Sequence, residues 1–390
     1  MKSDVSPARA IPSVAAEIET ASTEGVLGTA DSLVCFCQLR WRFVFQRPQH
    51  LMTRFAGHLP VHFVEEPVDD AGGAAYLETV EVSPGIKAIV PHVPEGTDLA
   101  AGFAITRDLL RPHWAGERVW RPLAWVYTPL ALPLAEDLAP VRLVYDCMDE
   151  LSAFKDAPPL LVESETALLR RADVVFTGGR SLWRAKRQHH DRTFCFPSSI
   201  DRAHFAKARD ARPEPDDQAD IPHPRLGHYA VLDERLDRDL IAELADLRPD
   251  WHIVLVGPVV KIDPASLPRR PNVHYLGAKP YEALPDYLAG WDVAIMPFAM
   301  GPATRFISPT KTPEYLAAGR PVVSTPVPDV VEDYGDLVAI ADDARGFADA
   351  VAAALDPAFG RAEWLAAVDS LLSGMSWDMT WSRMLETLND

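Results

Sequence analysis

Cysteine is scarce in this chain, four in 390 residues. Cys35, Cys37, Cys147 and Cys195 follow no metal-ligand spacing, and Cys35 and Cys37 alternate along one apolar run. They read as small core residues in a reducing cytoplasm, which excludes a disulfide framework. There is no His-Glu-x-x-His run, and no metal site is expected. Nor does any apolar stretch reach the length that spans a bilayer. Residues 1–30 lack the basic-then-apolar order of a signal peptide and are expected to form a mobile polar leader. Basic residues are in deficit, 38 Lys and Arg against 56 Asp and Glu, for a formal charge of -18. That balance excludes nucleic acid as the main partner and a surface that grips anionic lipid all over, but leaves room for a local basic patch. No Gly-x-Gly-x-x-Gly turn follows a strand, so the fingerprint of a nicotinamide dehydrogenase is absent.

What the chain does have is strand-helix alternation, repeated in two halves. Apolar runs at Ser32–Cys37, Val61–Val64, Lys87–Val90, Ala124–Tyr127, Arg142–Cys147, Ala172–Thr177 and from Phe194 toward Asp201 predict the strands of a first domain. Runs at Arg225–Leu232, Trp251–Val256, Val273–Gly277, Val293–Pro297 and Val322–Val323 predict those of a second. Helices are expected between them, as from Pro48 with Leu51, Phe55 and Leu59 on one face, from Pro158 to Arg171, from Arg238 to Leu247 and from Ala283 to Ala289. The fold class is therefore α/β, with two doubly wound parallel-sheet domains at 31–205 and 225–375. The polar stretch 206–224, with Pro213, Pro215, Pro222 and Pro224, reads as the linker.

The stretch from Ser308 to Thr325 concentrates binding chemistry. Ser308, Thr310 and Thr312 supply hydroxyls before a short helix, with Thr312 the expected N-cap, Pro313 the first helical residue and Gly319 the C-terminal cap. Lys311 and the helix N-terminus suit a diphosphate, and Glu314 can accept two hydrogen bonds from a vicinal diol such as a ribose. The same residues also fit a plainer role, Glu314 opposing the helix dipole and Lys311 solvated beside it, and on their own they do not separate the two. Elsewhere, loops after strands lie at the carboxyl edge where open α/β sheets bind ligands. Arg40, Arg42 and Arg47 suit an anionic acceptor there, although pairing with nearby acids is preferred for Arg40 and Arg42. Asp146 and Asp149 suit orientation of sugar hydroxyls or general-base work, whereas capping or a pair with Lys155 accounts for Glu150. Trp114, Arg118, Trp120, Arg121 and Trp125 form an aromatic-basic cluster suited either to a membrane interface or, for the tryptophans, to core packing.

Several segments together resemble family 4-type glycosyltransferases of the GT-B fold. They are Pro197-Ser198-Ser199-Ile200-Asp201 at the junction, Val273 to Gly277, Trp291-Asp292-Val293, Glu314 to Val323, and Ser376-Trp377-Asp378. Gln46-Arg47-Pro48-Gln49-His50 and Tyr145 to Glu150 are similar to bacterial enzymes of teichuronic-acid and exopolysaccharide assembly. The resemblance covers roughly residues 31–390. It implies two Rossmann-like domains facing a cleft, with a C-terminal helix, 376–390, crossing back to the first. It also implies that Glu314 holds the donor ribose, that the loop Ser308 to Thr312 holds the diphosphate, and that the turn from Gly277 through Tyr281 lines the nucleobase. Tyr281 then either stacks on the base or serves as a rim aromatic.

Three departures accompany this resemblance. Phe306 stands where the family carries a second glutamate, only Arg235 stands in for the phosphate-gripping Arg and Lys, and Met148 replaces a histidine beside Asp149. On this footing the donor is a nucleoside-diphosphate sugar and no cofactor or metal is required. Lys311, Arg235 and the helix terminus stabilise the leaving group. If transfer inverts the anomeric centre, Asp149 is the first choice of base and Asp146 the second. If it retains, these acids position the sugar, and the sequence leaves the two outcomes open. Arg47 and Gln46 fall on the acceptor side. The acceptor is a glycan, a lipid-linked molecule or a small molecule in bacterial cell-surface polysaccharide or glycoconjugate synthesis. The location is cytoplasmic, with peripheral contact at the inner face of the membrane as an extension. A sugar-nucleotide epimerase and a non-catalytic sugar-nucleotide-binding subunit are the alternatives.

Overall fold

The computed structural model describes residues 25–390. Most of the expected leader, residues 1–24, lies outside them. Its last part is folded: Val26–Thr29 is a helical turn whose Val26 and Leu27 are buried, and the Val26 amide donates to Asn389 Oδ1 at 2.8 Å.

Among the described residues two sheets form the frame. The first holds β1 (Leu33–Cys37), β2 (Val61–Glu65), β3 (Val68–Ala71), β4 (Tyr76–Ser83), β5 (Ile86–Pro94), β6 (Leu123–Val126), β7 (Arg142–Cys147), β8 (Val174–Thr177) and β9 (Thr193–Cys195). Its order is β3-β5-β2-β1-β6-β7-β8-β9, parallel throughout, with β4 antiparallel on β5. The second holds β10 (Arg225–Tyr229), β11 (His252–Val256), β12 (Val273–Gly277), β13 (Val293–Met296), β14 (Val322–Ser324) and β15 (Val338–Ile340), all parallel in the order β12-β11-β10-β13-β14-β15.

Every residue of β1 is buried, because a central parallel strand has helices over both faces. Its side chains alternate between two cores. Val34 and Phe36 enter one, while Leu33, Cys35 and Cys37 enter the other. Cys35, Cys37 and Cys147 are thus core packing residues, whereas Cys195 is only half-buried; all four are unpaired.

Three expectations need correction. Strands β3 and β4, each paired with β5, were not foreseen, since their largely exposed residues carry no buried apolar run. The strand beginning near Phe194 stops at Cys195. The stretch 206–224 is not a free linker, for it is folded onto the second lobe. Ala208 and Ile221 join that lobe's core, and the buried Gln218 donates to Tyr287 O and accepts from Trp291 Nε1. Most of its polar side chains are exposed, but Gln218 and Arg209 turn inward to bond backbone carbonyls of the second lobe. The Trp377–Asn389 helix returns to the first lobe, where Trp377, Met384, Leu385 and Leu388 pack with Leu51 and Phe55.

Candidate active-site cleft

Loops leaving the carboxyl ends of β1, β7, β10, β11, β12 and β13 converge on a cleft of about 390 Å³ between the lobes. The first-lobe wall is the loop 38–46. Glu65 at the tip of β2 suspends it, accepting from Arg40 Nη1 at 3.0 Å and from the Trp41 amide at 2.9 Å. Gln49 Nε2 ties the loop again, donating to the Trp41 and Val44 carbonyls. So held, the loop presents Arg42, Phe43 and Phe45 to the cleft. Arg40 pairs with an acid as preferred from the sequence. Arg42 does not, having no ion pair among the described residues, and sequence alone offered no way to tell the two apart.

Arg47 lines the cleft but is committed elsewhere. Its guanidinium is buried, bonds both oxygens of Asp146 at 2.8 to 3.1 Å, and donates to the Phe196 carbonyl. Asp146 also accepts from Trp125 Nε1 at 3.2 Å and is wholly buried. A carboxylate with both oxygens engaged inside the core is no base for an acceptor, so the expectation for Asp146 is corrected: it anchors Arg47, and Arg47 anchors the lobe junction. Gln46 lines the cleft and starts the Arg47–Phe55 helix, its amide donating to Gln49 Oε1. Glu150 pairs with buried Lys186 at 2.7 Å rather than with Lys155.

Asp149 behaves differently. It lines the cleft, and its carboxylate has no hydrogen bond to protein among the described residues. Enclosure raises its pKa above the usual aspartate value, with Arg235 across the cleft pulling the other way. That is the direction a general base working near neutral pH requires. Arg235 lines the opposite wall, held in a fork by Asp233, with Nη2–Oδ2 at 2.7 Å, and its guanidinium lies over the Phe154 ring of the first lobe. The Lys155 amide donates to Glu234 Oε1, so the lobes are hydrogen-bonded at this rim.

The donor-side stretch is partly as expected. Ser308, Thr310 and Lys311 line the cleft, and Lys311 Nζ donates to Thr310 Oγ1 at 2.9 Å. Thr312 does not line it, and neither it nor Pro313 holds its expected position. The helix runs Lys311–Ala317 with Thr310 at the cap, and Thr312 is buried with its hydroxyl on Met296 Sδ. Glu314 lies behind the wall, directly behind Lys311 and Tyr229, which face the cleft. Its Oε2 accepts from the Tyr229 hydroxyl at 2.5 Å and is 3.7 Å from Lys311 Nζ, and its side chain keeps 10% exposure. Burial raises its pKa, against the pull of Lys311 and Tyr229.

Gly277 takes a left-handed φ of 70°, ending β12 and releasing Ala278 to Glu282 into the cleft. Tyr281 stacks on His204 with centroids 4.4 Å apart and touches Phe45 at 5.0 Å, while its buried hydroxyl has no partner among the described residues. Phe306, in place of the expected glutamate, packs against the first lobe's core. Tyr229 and His228 also line the cleft and were missed, while Lys279 lies within the turn expected to line it and pairs with Asp217. Tyr229 ends a buried strand on the ligand-binding edge, a signal present in the sequence. Among the described residues no group of three His, Cys, Asp or Glu is placed to hold a metal ion.

Residues 231–356, the part of the second lobe that carries much of this donor wall, match the family model described as "Glycosyl transferases group 1". The second lobe holds a group 1 glycosyltransferase domain. A stretch of 106 residues is 37% identical to the putative teichuronic acid biosynthesis glycosyltransferase TuaH of Bacillus subtilis (strain 168), covering 26% of this chain and 27% of that protein. The match thus spans about a quarter of that relative's length. Similar solved structures extend over nearly the whole chain. Sucrose-phosphate synthase of Thermosynechococcus elongatus superposes with a TM-score of 0.72 at 16% identity over 91% of this chain and 98% of its own. Anabaena HepE in complex with UDP and glucose gives 0.64 at 15% over 92% and 99%. The E. coli trehalose-6-phosphate structure bound with UDP-2-fluoro glucose gives 0.65 at 13% over 92% and 99%. The architecture is GT-B.

Proposed function

We propose that the protein transfers a sugar from a nucleoside-diphosphate sugar to an acceptor hydroxyl, in bacterial cell-surface polysaccharide or glycoconjugate synthesis. The observation that carries this reading is the convergence of Lys311, Arg235 and Asp149 on one cleft whose second-lobe wall lies largely within residues 231–356, the part matched by the group 1 family model. Lys311, Thr310 and Ser308 take the diphosphate, the turn after Gly277 with Tyr281 takes the base, and Glu314 reaches the pentose between Tyr229 and Lys311. As the bond breaks, Lys311 and Arg235 offset charge growing on the leaving diphosphate, so that no metal ion is needed. Asp149 takes the acceptor proton if transfer inverts. Arg42, Phe43 and Phe45 offer the acceptor an unpaired cation and two exposed rings. Thermal shift against a panel of nucleoside diphosphates tests donor binding, and release of nucleoside diphosphate that depends on added acceptor tests transfer. Saturable binding without any acceptor-dependent release would favour a non-catalytic binding subunit, a reading that Phe306 and the Asp233 clamp on Arg235 support.

Of the aromatic-basic cluster, Trp114 and Trp125 are core residues, whereas Trp120 is 64% exposed beside exposed Arg118 and Arg121. A peripheral contact with the inner face of the membrane, within a cytoplasmic location, rests on these three. They precede β6, at the amino end of the strands and away from the cleft, so such a contact tethers the enzyme rather than feeding its acceptor. Among the described residues no helix is long and apolar enough to cross a membrane. Co-sedimentation with anionic liposomes, lost on combining Trp120→Ala with Arg121→Ala, supports the contact, and no sedimentation of the parent protein removes it.

A further inference from the structure

Glu314 is not an open carboxylate. Its Oε2 is taken by the Tyr229 hydroxyl, with Lys311 Nζ alongside, whereas Oε1 has no hydrogen-bond partner among the described residues. A carboxylate that grips a vicinal diol through both hydroxyls offers each one an oxygen. Here the Tyr229 phenol holds one side of Oε2 at 2.5 Å and the Lys311 ammonium crowds it at 3.7 Å, which together take that oxygen's place in such a grip. Tyr229 is poorly able to step aside, for it is the last residue of β10 and only 4% exposed. Its amide donates to Tyr315 Oη at 2.8 Å, and its ring is nearly parallel to Phe205 and edge-on to Tyr315, 5.0 Å away. Swinging it out would open a cavity in the second lobe's core and strand the hydroxyl.

On the reading that this cleft takes a nucleoside-diphosphate sugar, we propose that Tyr229 is a specificity-determining residue. It leaves Glu314 one oxygen for the pentose, so the site engages one ring hydroxyl where a free carboxylate would engage two. The 3′-hydroxyl, present in ribose and 2′-deoxyribose alike, satisfies that oxygen. The remaining contacts act on groups the two sugars share: Lys311 and Thr310 on the diphosphate, Tyr281 on the base. The donor class therefore extends to sugar diphosphates of 2′-deoxynucleosides. Freeing Oε2 would restore selection for ribose.

The test is calorimetric titration of the full-length protein with matched ribo- and 2′-deoxyribonucleoside diphosphates: UDP with dUDP, GDP with dGDP, ADP with dADP, CDP with dCDP. For the base that binds, the wild-type dissociation constants are expected to agree within about threefold, less than one charge-assisted hydrogen bond supplies. Tyr229→Phe keeps the ring and releases Oε2, and should widen the gap to about tenfold or more in favour of ribose, as in sites built to bond a substrate hydroxyl. A wild-type gap of tenfold or more overturns the inference without any variant. An unchanged ratio in a Tyr229→Phe protein of near-wild-type thermal stability overturns it as well. If no ribonucleoside diphosphate binds, the donor-site reading falls and this inference with it. Tight binding with a wide gap removes this inference alone.

Discussion

On and behind the first-lobe wall of the cleft the charged groups are largely spent on one another: Arg47, which lines it, on Asp146, and outside the lining Arg40 on Glu65 and Lys186 on Glu150 and Glu165. What that wall offers a ligand is aromatic surface, the single guanidinium of Arg42 and the carboxylate of Asp149. On the second-lobe wall Lys311 has, among the described residues, a neighbouring hydroxyl, the Tyr229 ring and a carboxylate 3.7 Å away, and Arg235 faces the cleft from its aspartate clamp. The first wall is thus built as a rigid shaped surface, and the second as a charged receptor. Substitutions on the two sides should therefore fail in different currencies: stability on the first, affinity on the second. Asp149 is the exception that belongs to the chemistry.

The sharpest way to break this contrast uses Asp146 and Asp149, three residues apart at the end of β7. Asp149→Asn should lower turnover by about a hundredfold or more with little change in thermal midpoint, the scale of a lost general base. Arg47→Ala strands the buried Asp146 carboxylate and should cost about 3–5 kcal/mol in urea denaturation. Replacing both partners, Arg47→Met with Asp146→Leu, should recover much of that loss, since the pair stabilises chiefly by not being left half-made. If instead Asp149→Asn turned over normally, transfer would need no base there and a retaining course would be favoured.

Acid should expose a second contrast. Burial holds His50 and His62 of the first lobe to pKa values of about 3 and about 4, and His228 of the second to about 4. Once unfolded, each titrates near 6.5. Between those values the unfolded chain binds protons that the folded chain refuses, so stability is intact above about pH 6.5 and falls as pH drops toward 4. The slope is about 1.4 kcal/mol per pH unit for each histidine. His50 stacks on Trp377 and meets Phe45 edge-on, so His50→Phe keeps an aromatic plate there while removing one titration. Denaturation midpoints between pH 6.5 and 4 should fall less steeply for that variant, and a slope equal to wild type would mean His50 is not a neutral core residue.

The second wall is tested by diphosphate affinity. Lys311→Ala should weaken binding of a nucleoside diphosphate by about ten- to a hundredfold, the value of a charge-assisted contact. Arg235→Ala should do less, because Asp233 already neutralises the guanidinium; removing Asp233 as well, rather than leaving it alone at the cleft edge, isolates the arginine's own share. Equal losses at the two positions would mean that the clamp opens when the ligand arrives.

The unequal legibility of the two walls has a physical origin. The donor stretch is contiguous: Ser308, Thr310 and Lys311 lie within four residues, and a strand-loop-helix pattern is enough to place them at a cleft. Even there the register slipped. Thr312 and Pro313 suggested a helix start that actually falls at Lys311, because Thr312 finds its partner in the core at Met296 rather than at the helix end. The first wall depends on pairings distant in sequence, such as Arg47 with Asp146, 99 residues away, and no local pattern distinguishes a spent arginine from a free one. Most parallel strands were visible because burial on both faces leaves an apolar run, but the edge strand β15, three residues with only Val338 buried, was not expected. Strands β3 and β4 and the folded segment 206–224 were not visible either, since exposed or hydrogen-bonded polar residues write no such signature.

The smallest effect expected lies where the two walls meet, outside the cleft. Arg180 pairs with Asp333, Arg184 pairs with Glu332, and the Ser181 amide donates to Asp329 Oδ1 at 3.0 Å, joining the first lobe to the Pro328–Tyr334 helix. Gly179 is required at this seam because a Cβ there would collide with Asp329 Oδ2 and Ser308 Cβ. The arginine pairs are solvent-exposed and therefore weak and salt-sensitive, whereas the glycine contact is a matter of shape. Combining Arg180→Ala with Arg184→Ala should then change nucleoside diphosphate affinity by less than about fivefold at low salt, and by still less at 0.5 M salt. Gly179→Ala, which wedges Ser308 away from the first lobe, should change it more and independently of salt. Were the double arginine variant the more damaging of the two, charge rather than close packing would hold the lobes in register, and the division between a shaped wall and a charged wall would not extend to their seam.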